Sequence, residues 1–182
     1  DGENWIPAVD WTGGVRDWTG VTVQNQRVTG LELPNRNLRG NMPIDITDIR
    51  GLTTVDVSDN EIFLIPDMTA LTNITTLDVS DNALDFEDLI PNANISGIVY
   101  SPQAAIGEET YGEYDKGTTV RLRLDARDAE GNVYQWRRNG VAVPNSNSRT
   151  YDVVAINYDN MGEYITRVTN PAVPGLTLTS KT

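Results

Sequence analysis

Residues 27–100 repeat themselves, and so short a repeat leaves few ways to fold. The runs "RVTGLELPNRNLRG" (27–40), "GLTTVDVSDNEI" (51–62) and "NITTLDVSDNAL" (73–84) place apolar residues at one spacing three times over. On the template L-x-x-L-x-L-x-x-N-x-L, the first copy supplies Val28, Leu31, Leu33 and Leu38. The second supplies Leu52, Val55, Val57, Asn60 and Ile62, and the third Ile74, Leu77, Val79, Asn82 and Leu84. A shorter fourth copy has Ile95, Ile98 and Tyr100, with Gln103 where asparagine would stand. The spacing is 24 residues from Val28 to Leu52, 22 to Ile74 and 21 to Ile95, the length of one strand and one return segment. Alternation of apolar and polar residues at the fourth to sixth positions predicts a strand. Successive strands must then lie parallel and stack. Asn60 and Asn82 are expected to be buried and to satisfy backbone groups left unpaired by the turn after each strand, because a buried amide without partners is costly. The first copy differs here, with Arg36 standing between Asn35 and Asn37.

This pattern resembles a leucine-rich repeat. The "W-x-G-V-x-V" run at 18–23, with Gly40 and Pro43, is similar to plant-type repeats, whereas the second return, "FLIPDMTALTN", resembles the repeats of bacterial internalins. The resemblance implies an α/β solenoid of short parallel strands with mostly irregular or 3₁₀ returns over residues 27–104. Ile44, Ile46 and Ile49 would line the first return, and Phe86, Leu89 and Ile90 the third. Such an open stack exposes the apolar end of its first member. Residues 1–26, with Trp5, Trp11 and Trp18, are read as the cap that covers it.

The period breaks at "AAIGEETYGEYDKG" (104–117), and a second pattern follows. Val120, Leu122 and Leu124 alternate with Arg121 and Arg123, a half-buried strand. "VYQWRRNGVAVP" reads as a strand, an Asn139-Gly140 turn and a returning strand. Further short strands separated by turn residues indicate an all-β sandwich over 105–182. Trp136, Gly162 and Tyr164 resemble the core tryptophan and tyrosine corner of an immunoglobulin-like domain, with Asn160 where that motif has aspartate. Leu124 and Thr166 would then occupy its two cysteine positions.

Charge is unevenly placed. Residues 1–106 hold 16 Asp/Glu against 5 Arg, whereas residues 107–182 hold 10 Asp/Glu against 9 Lys/Arg. An acidic surface repels phosphate, so neither nucleic acid nor an anionic membrane is a fitting partner, and no run is long and apolar enough to insert into a bilayer. The chain opens on "DGENW" without a signal-like stretch, which points to a mature or excised piece of something longer. Without histidine or cysteine, the commonest general base and the soft metal ligands are missing. A non-enzymatic role without a cofactor is expected.

The candidate site is the polar side of the repeat strands. Glu32, Asp56 and Asp78 recur between the inward apolar residues, and Asn35, Asp59 and Asp81 recur three residues later. Like charges in register on neighbouring strands are mutually unfavourable. A solvated acidic face is the plainest reading. A protein partner with a basic surface, or Ca²⁺ with its oxygen ligands, would offset the repulsion. The tandem architecture resembles the ectodomains of bacterial surface proteins. It implies an extracellular or cell-surface adhesion module that binds protein through the concave repeat face, with Glu32, Asp56, Asp59, Asp78 and Asp81 as contacts. The alternative is a glycan-binding accessory region, with exposed tryptophans, or a structural spacer of a larger secreted or surface protein.

Overall fold

The structure is a computed structural model that describes residues 14–181. It divides between Ala104 and Ala105 into two units. Trp5 and Trp11 lie outside the described residues. Trp18 is half-buried and ends a 3₁₀ turn over Val15–Asp17.

The first unit contains β1 (Val21–Gln24), β2 (Arg27–Glu32), β3 (Arg39–Asn41), β4 (Thr54–Asp56), β5 (Glu61–Leu64), β6 (Thr76–Asp78), α1 (Phe86–Asn92) and β7 (Ile98–Val99). β1 and β2 form an antiparallel hairpin. β2, β4, β6 and β7 run parallel in that order. Leu31 pairs with Val55, Val55 with Leu77, and Leu77 with Ile98, so the apolar repeat residues occupy adjoining rungs. Val55 and Leu77 on these rungs, with Leu33, Leu52, Val57, Val79, Leu84, Phe86 and Leu89, are essentially inaccessible. Each such side chain contributes about 1.5–3 kcal/mol by leaving water. β3 and β5 form a separate parallel pair.

The second unit contains β8 (Val120–Arg123), β9 (Val133–Arg138), β10 (Val141–Ala142), β11 (Thr150–Val153), β12 (Tyr164–Thr169) and β13 (Leu178–Thr179). A four-stranded antiparallel sheet has the order β10-β9-β12-β13, and β8 pairs with β11 alone. Its interior gathers Trp136, Val168, Val173, Leu176 and Leu178. The Trp136 indole nitrogen donates to the Ser148 carbonyl at 2.8 Å, and the Tyr164 hydroxyl to the Asn160 carbonyl at 2.7 Å.

These findings correct the expected fold class. In place of an α/β solenoid followed by an immunoglobulin-like sandwich, the described residues form mostly β-strands in small sheets of five, four, two and two strands, with one α-helix. The physical reason in the first unit is length. A return of a few residues cannot nucleate a helix without help, and α1 forms because Asp85 and Asp88 make a reciprocal capping box at its start. The first return makes only a 3₁₀ turn over Ile44–Asp48, in which Ile46 is buried but Ile44 is 65% exposed. In the second unit β10 and β13 have two residues each, and β8 finds no partner beyond β11 among the described residues, so no second broad sheet is built.

Candidate functional site

The geometry of the first unit follows from strands too short to satisfy their own surroundings. β4 and β6 have three residues and β7 two, so most backbone groups in each repeat must bond elsewhere. Backbone bonds from one repeat to the next take many of them, as from Leu33 to Asp56, Val57 to Asp78 and Asp59 to Ser80, and buried amide side chains take others. Asn60 Oδ1 accepts from the Arg36 and Leu38 amides at 2.9 and 3.0 Å, and its Nδ2 donates to the Leu33, Val57 and Ser58 carbonyls. Asn82 accepts from the Ile62 amide and donates to the Val57, Val79 and Ser80 carbonyls. Gln103 continues the column, accepting from the Leu84 amide and donating to the Val79 and Tyr100 carbonyls. Each amide thus staples its own turn to the preceding repeat. In the first copy Asn60 serves the amides on both sides of Asn37, as Asn82 and Gln103 serve the Ile62 and Leu84 amides of the next two copies.

This column sets the outward carboxylates. Glu32 stands in register with Asp56, and Asp56 with Asp78, on strands about 4.8 Å apart. Glu32 is exposed, and Asp56 and Asp78 are half-buried. Asp56 Oδ1 accepts from the Ser58 amide at 3.0 Å and the Ser58 hydroxyl at 2.7 Å. Asp78 and Ser80 repeat the arrangement at the same distances. The serines hold these carboxylates in fixed rotamers, a role the sequence reading missed although D-x-S stands in both copies.

Asn35, Asp59 and Asp81 have φ of 52°, 54° and 51°, the left-handed region that short polar side chains tolerate best. Their amides donate to the next repeat, Asn35 to Ser58, Asp59 to Ser80 and Asp81 to Pro102. Asp59 and Asp81 thus suit the turn, as Asn35 does in the first copy, and both remain exposed. All five predicted acidic residues come together as two rows along one rim. Neither of the ion pairs found among the described residues, Arg39–Glu61 and Arg121–Asp152, involves them. Among the same residues no group of three or more Asp, Glu, His or Cys is placed to hold a metal ion.

Three arginines of the second unit are engaged within it. Arg121 meets Asp152 through Nε and Nη2, both at 2.7 Å, and these bonds hold the Asp152 carboxyl below its ordinary range. Arg138 donates to the Asp159 carbonyl at 2.6 Å and Arg137 to that of Gly140.

Against known proteins this geometry has little company. No protein-family model matches the chain, and no curated protein matches it. Among solved structures it is similar to InlP of Listeria monocytogenes, with 16% identity and a TM-score of 0.30 over 78% of this chain and 49% of that one. The chain therefore spans about half the length of that neighbour.

Sequence reading also passed over a groove in the second unit, lined by Tyr111, Tyr114, Tyr158 and Tyr164. The segment at 104–117 read as a break in the repeat. Its two tyrosines, spaced among glycines and glutamates, were the available signal.

Proposed function

We propose that the chain is a non-enzymatic recognition module that acts outside the cell and binds a protein with a basic surface through the outward face of β2, β4 and β6. The observation that carries this is the in-register row of Glu32, Asp56 and Asp78, two of its members clamped by serines. Neighbouring like charges cost several tenths of a kcal/mol each, and rotamers fixed in advance reduce the ordering cost when a partner arrives. A complementary basic surface converts that cost into attraction and speeds encounter. The surplus of acid in residues 1–106 supports the same choice of partner. The extracellular setting is supported by the resemblance of the repeat residues to those of bacterial surface proteins. Absence of histidine and cysteine supports a role without catalysis.

The test is a binding panel of basic and acidic extracellular proteins, followed by the triple variant Glu32→Gln, Asp56→Asn, Asp78→Asn. Asparagine keeps the oxygen that accepts from Ser58 and Ser80, so charge is removed without dismantling the turns. A basic protein should bind, weaken as salt is raised, and lose at least about tenfold in affinity with the triple variant. A partner held as tightly by that variant, or a panel in which basic proteins bind no better than acidic ones, would overturn the reading.

A further inference from the structure

We propose that the tyrosine-walled groove of the second unit binds an extended, proline-containing peptide that also carries arginine or lysine, at a site separate from the acidic face of the first unit. The groove has a volume of about 740 Å³, inside the range of roughly 300–1,000 Å³ that ligand sites occupy. One wall is the segment bearing Tyr111 and Tyr114, and the other carries Tyr158, Met161 and Tyr164. Its floor is apolar, formed by Val120 and Leu122 of β8, Val153 of β11, and Ile156. The Ile156 amide donates to the Thr118 carbonyl at 2.8 Å and the Gly117 amide to the Ile156 carbonyl at 2.9 Å. The two walls are thus fastened at their base.

Tyr111 is 84% and Tyr158 88% exposed. Aromatic rings carry a large apolar area that is ordinarily buried, and a cluster of them left in water marks a contact surface. Two rings are positioned rather than loose. A Cβ at Gly112 would lie 2.3 Å from the Tyr114 ring, so the glycine lets that ring fold back over its backbone. Tyr164 stacks on Tyr151 with ring centres 6.0 Å apart, and its hydroxyl is held by the Asn160 carbonyl.

Charge selects the occupant. Glu113 and Glu163 line the groove against one cation, Lys116, and Glu108, Glu109, Asp115 and Asp159 stand beside the walls in sequence. An anionic ligand is repelled, and a neutral sugar can donate hydrogen bonds to the carboxylates but brings no cation to balance their charge. Proline rings pack on tyrosine without needing a hydrogen-bond donor, and a proline-rich segment is already extended before it binds. An arginine or lysine beside them meets both the carboxylates and the faces of the tyrosines.

Fluorescence anisotropy tests this with a labelled peptide of alternating Pro-Pro-Arg and a second peptide in which glutamate replaces each arginine. The arginine peptide should bind saturably, with the glutamate peptide at least about tenfold weaker. Tyr158→Ala, which removes an exposed ring and leaves the far-ultraviolet circular dichroism unchanged, should weaken binding about tenfold. Asp45→Asn, which removes an exposed charge of the first unit outside the acidic rows, should bind the arginine peptide as the parent does. Equal binding of the two peptides would overturn the proposal. So would parental affinity in Tyr158→Ala, an equal loss in Asp45→Asn, or displacement of the peptide by a neutral oligosaccharide.

Discussion

The two units solve one problem, the pairing of buried backbone groups, by different means. In the second unit β9 and β12 have six residues each and pair along their whole length, Tyr164 with Arg138 through to Thr169 with Val133, so this long ladder pairs its own backbone around Trp136, and Gln135 and Asn170 bond carbonyls of the segments beside it. In the first unit the parallel strands offer two or three pairs per repeat, and Asn60, Asn82 and Gln103 supply what the ladder lacks. The difference teaches where each unit is vulnerable. The second unit rests chiefly on a long ladder packed around aromatic volume, the first on a column of amide groups for which no apolar residue can substitute.

Removing the indole is the largest test of that contrast. Trp136→Ala should cost the second unit about 3–5 kcal/mol, read by urea denaturation. Asn82→Ala should cost the first unit about 3 kcal/mol, because it strips partners from the Ile62 amide and from three carbonyls in a place that water does not reach. An Asn82→Ala variant as stable as the parent would erase the distinction.

Smaller effects sharpen it. The Tyr134 hydroxyl donates to Asp128 at 2.5 Å, and burial, followed by that hydrogen bond, pushes its pKa up to about 12, against about 10 for an unfolded tyrosine. The protonated form is favoured in the folded state. Its contribution is therefore complete below about pH 10 and is lost as pH rises toward about 12. Thermal melts across that window should show the loss, and Tyr134→Phe should remove this part of the alkaline limb while costing about 1 kcal/mol at neutral pH. Smallest is Thr166→Val. The Thr166 hydroxyl is buried and has no hydrogen-bond partner, on a residue that faces Trp136 across the ladder. Valine keeps the shape, so stability should stay unchanged or rise by up to about 1 kcal/mol. A loss of more than that would mean that the Thr166 hydroxyl stabilises the second unit.

The repeat residues disclosed the register of the first unit, including Gln103 as the last member of the amide column, because a buried amide and a period of 21 to 24 residues leave a mark in any sequence that must stack. They also indicated irregular or 3₁₀ returns, but not which return residues would face inward. Ile44, expected inside, lies largely in water, since a turn of five residues presents only Ile46 inward. In the second unit, alternation marked β8 and the Asn139-Gly140 turn separated β9 from β10, yet neither revealed that β8 and β11 would stand apart from the four-stranded sheet.

What the chain by itself determined is therefore local: the spacing of apolar residues, the amide column, the acidic rows and the absence of histidine and cysteine. Which carboxylates a serine would clamp, which arginines would be taken up by their own unit, and which tyrosines would face a common groove were decided only by tertiary structure. Spacing along a chain sets which face a side chain is offered to, whereas a hydrogen bond or a groove wall needs residues far apart in sequence to arrive together. Tyr111 and Tyr158 face one groove because Ile156 bonds back to Gly117 and Thr118, a meeting that no periodicity encodes.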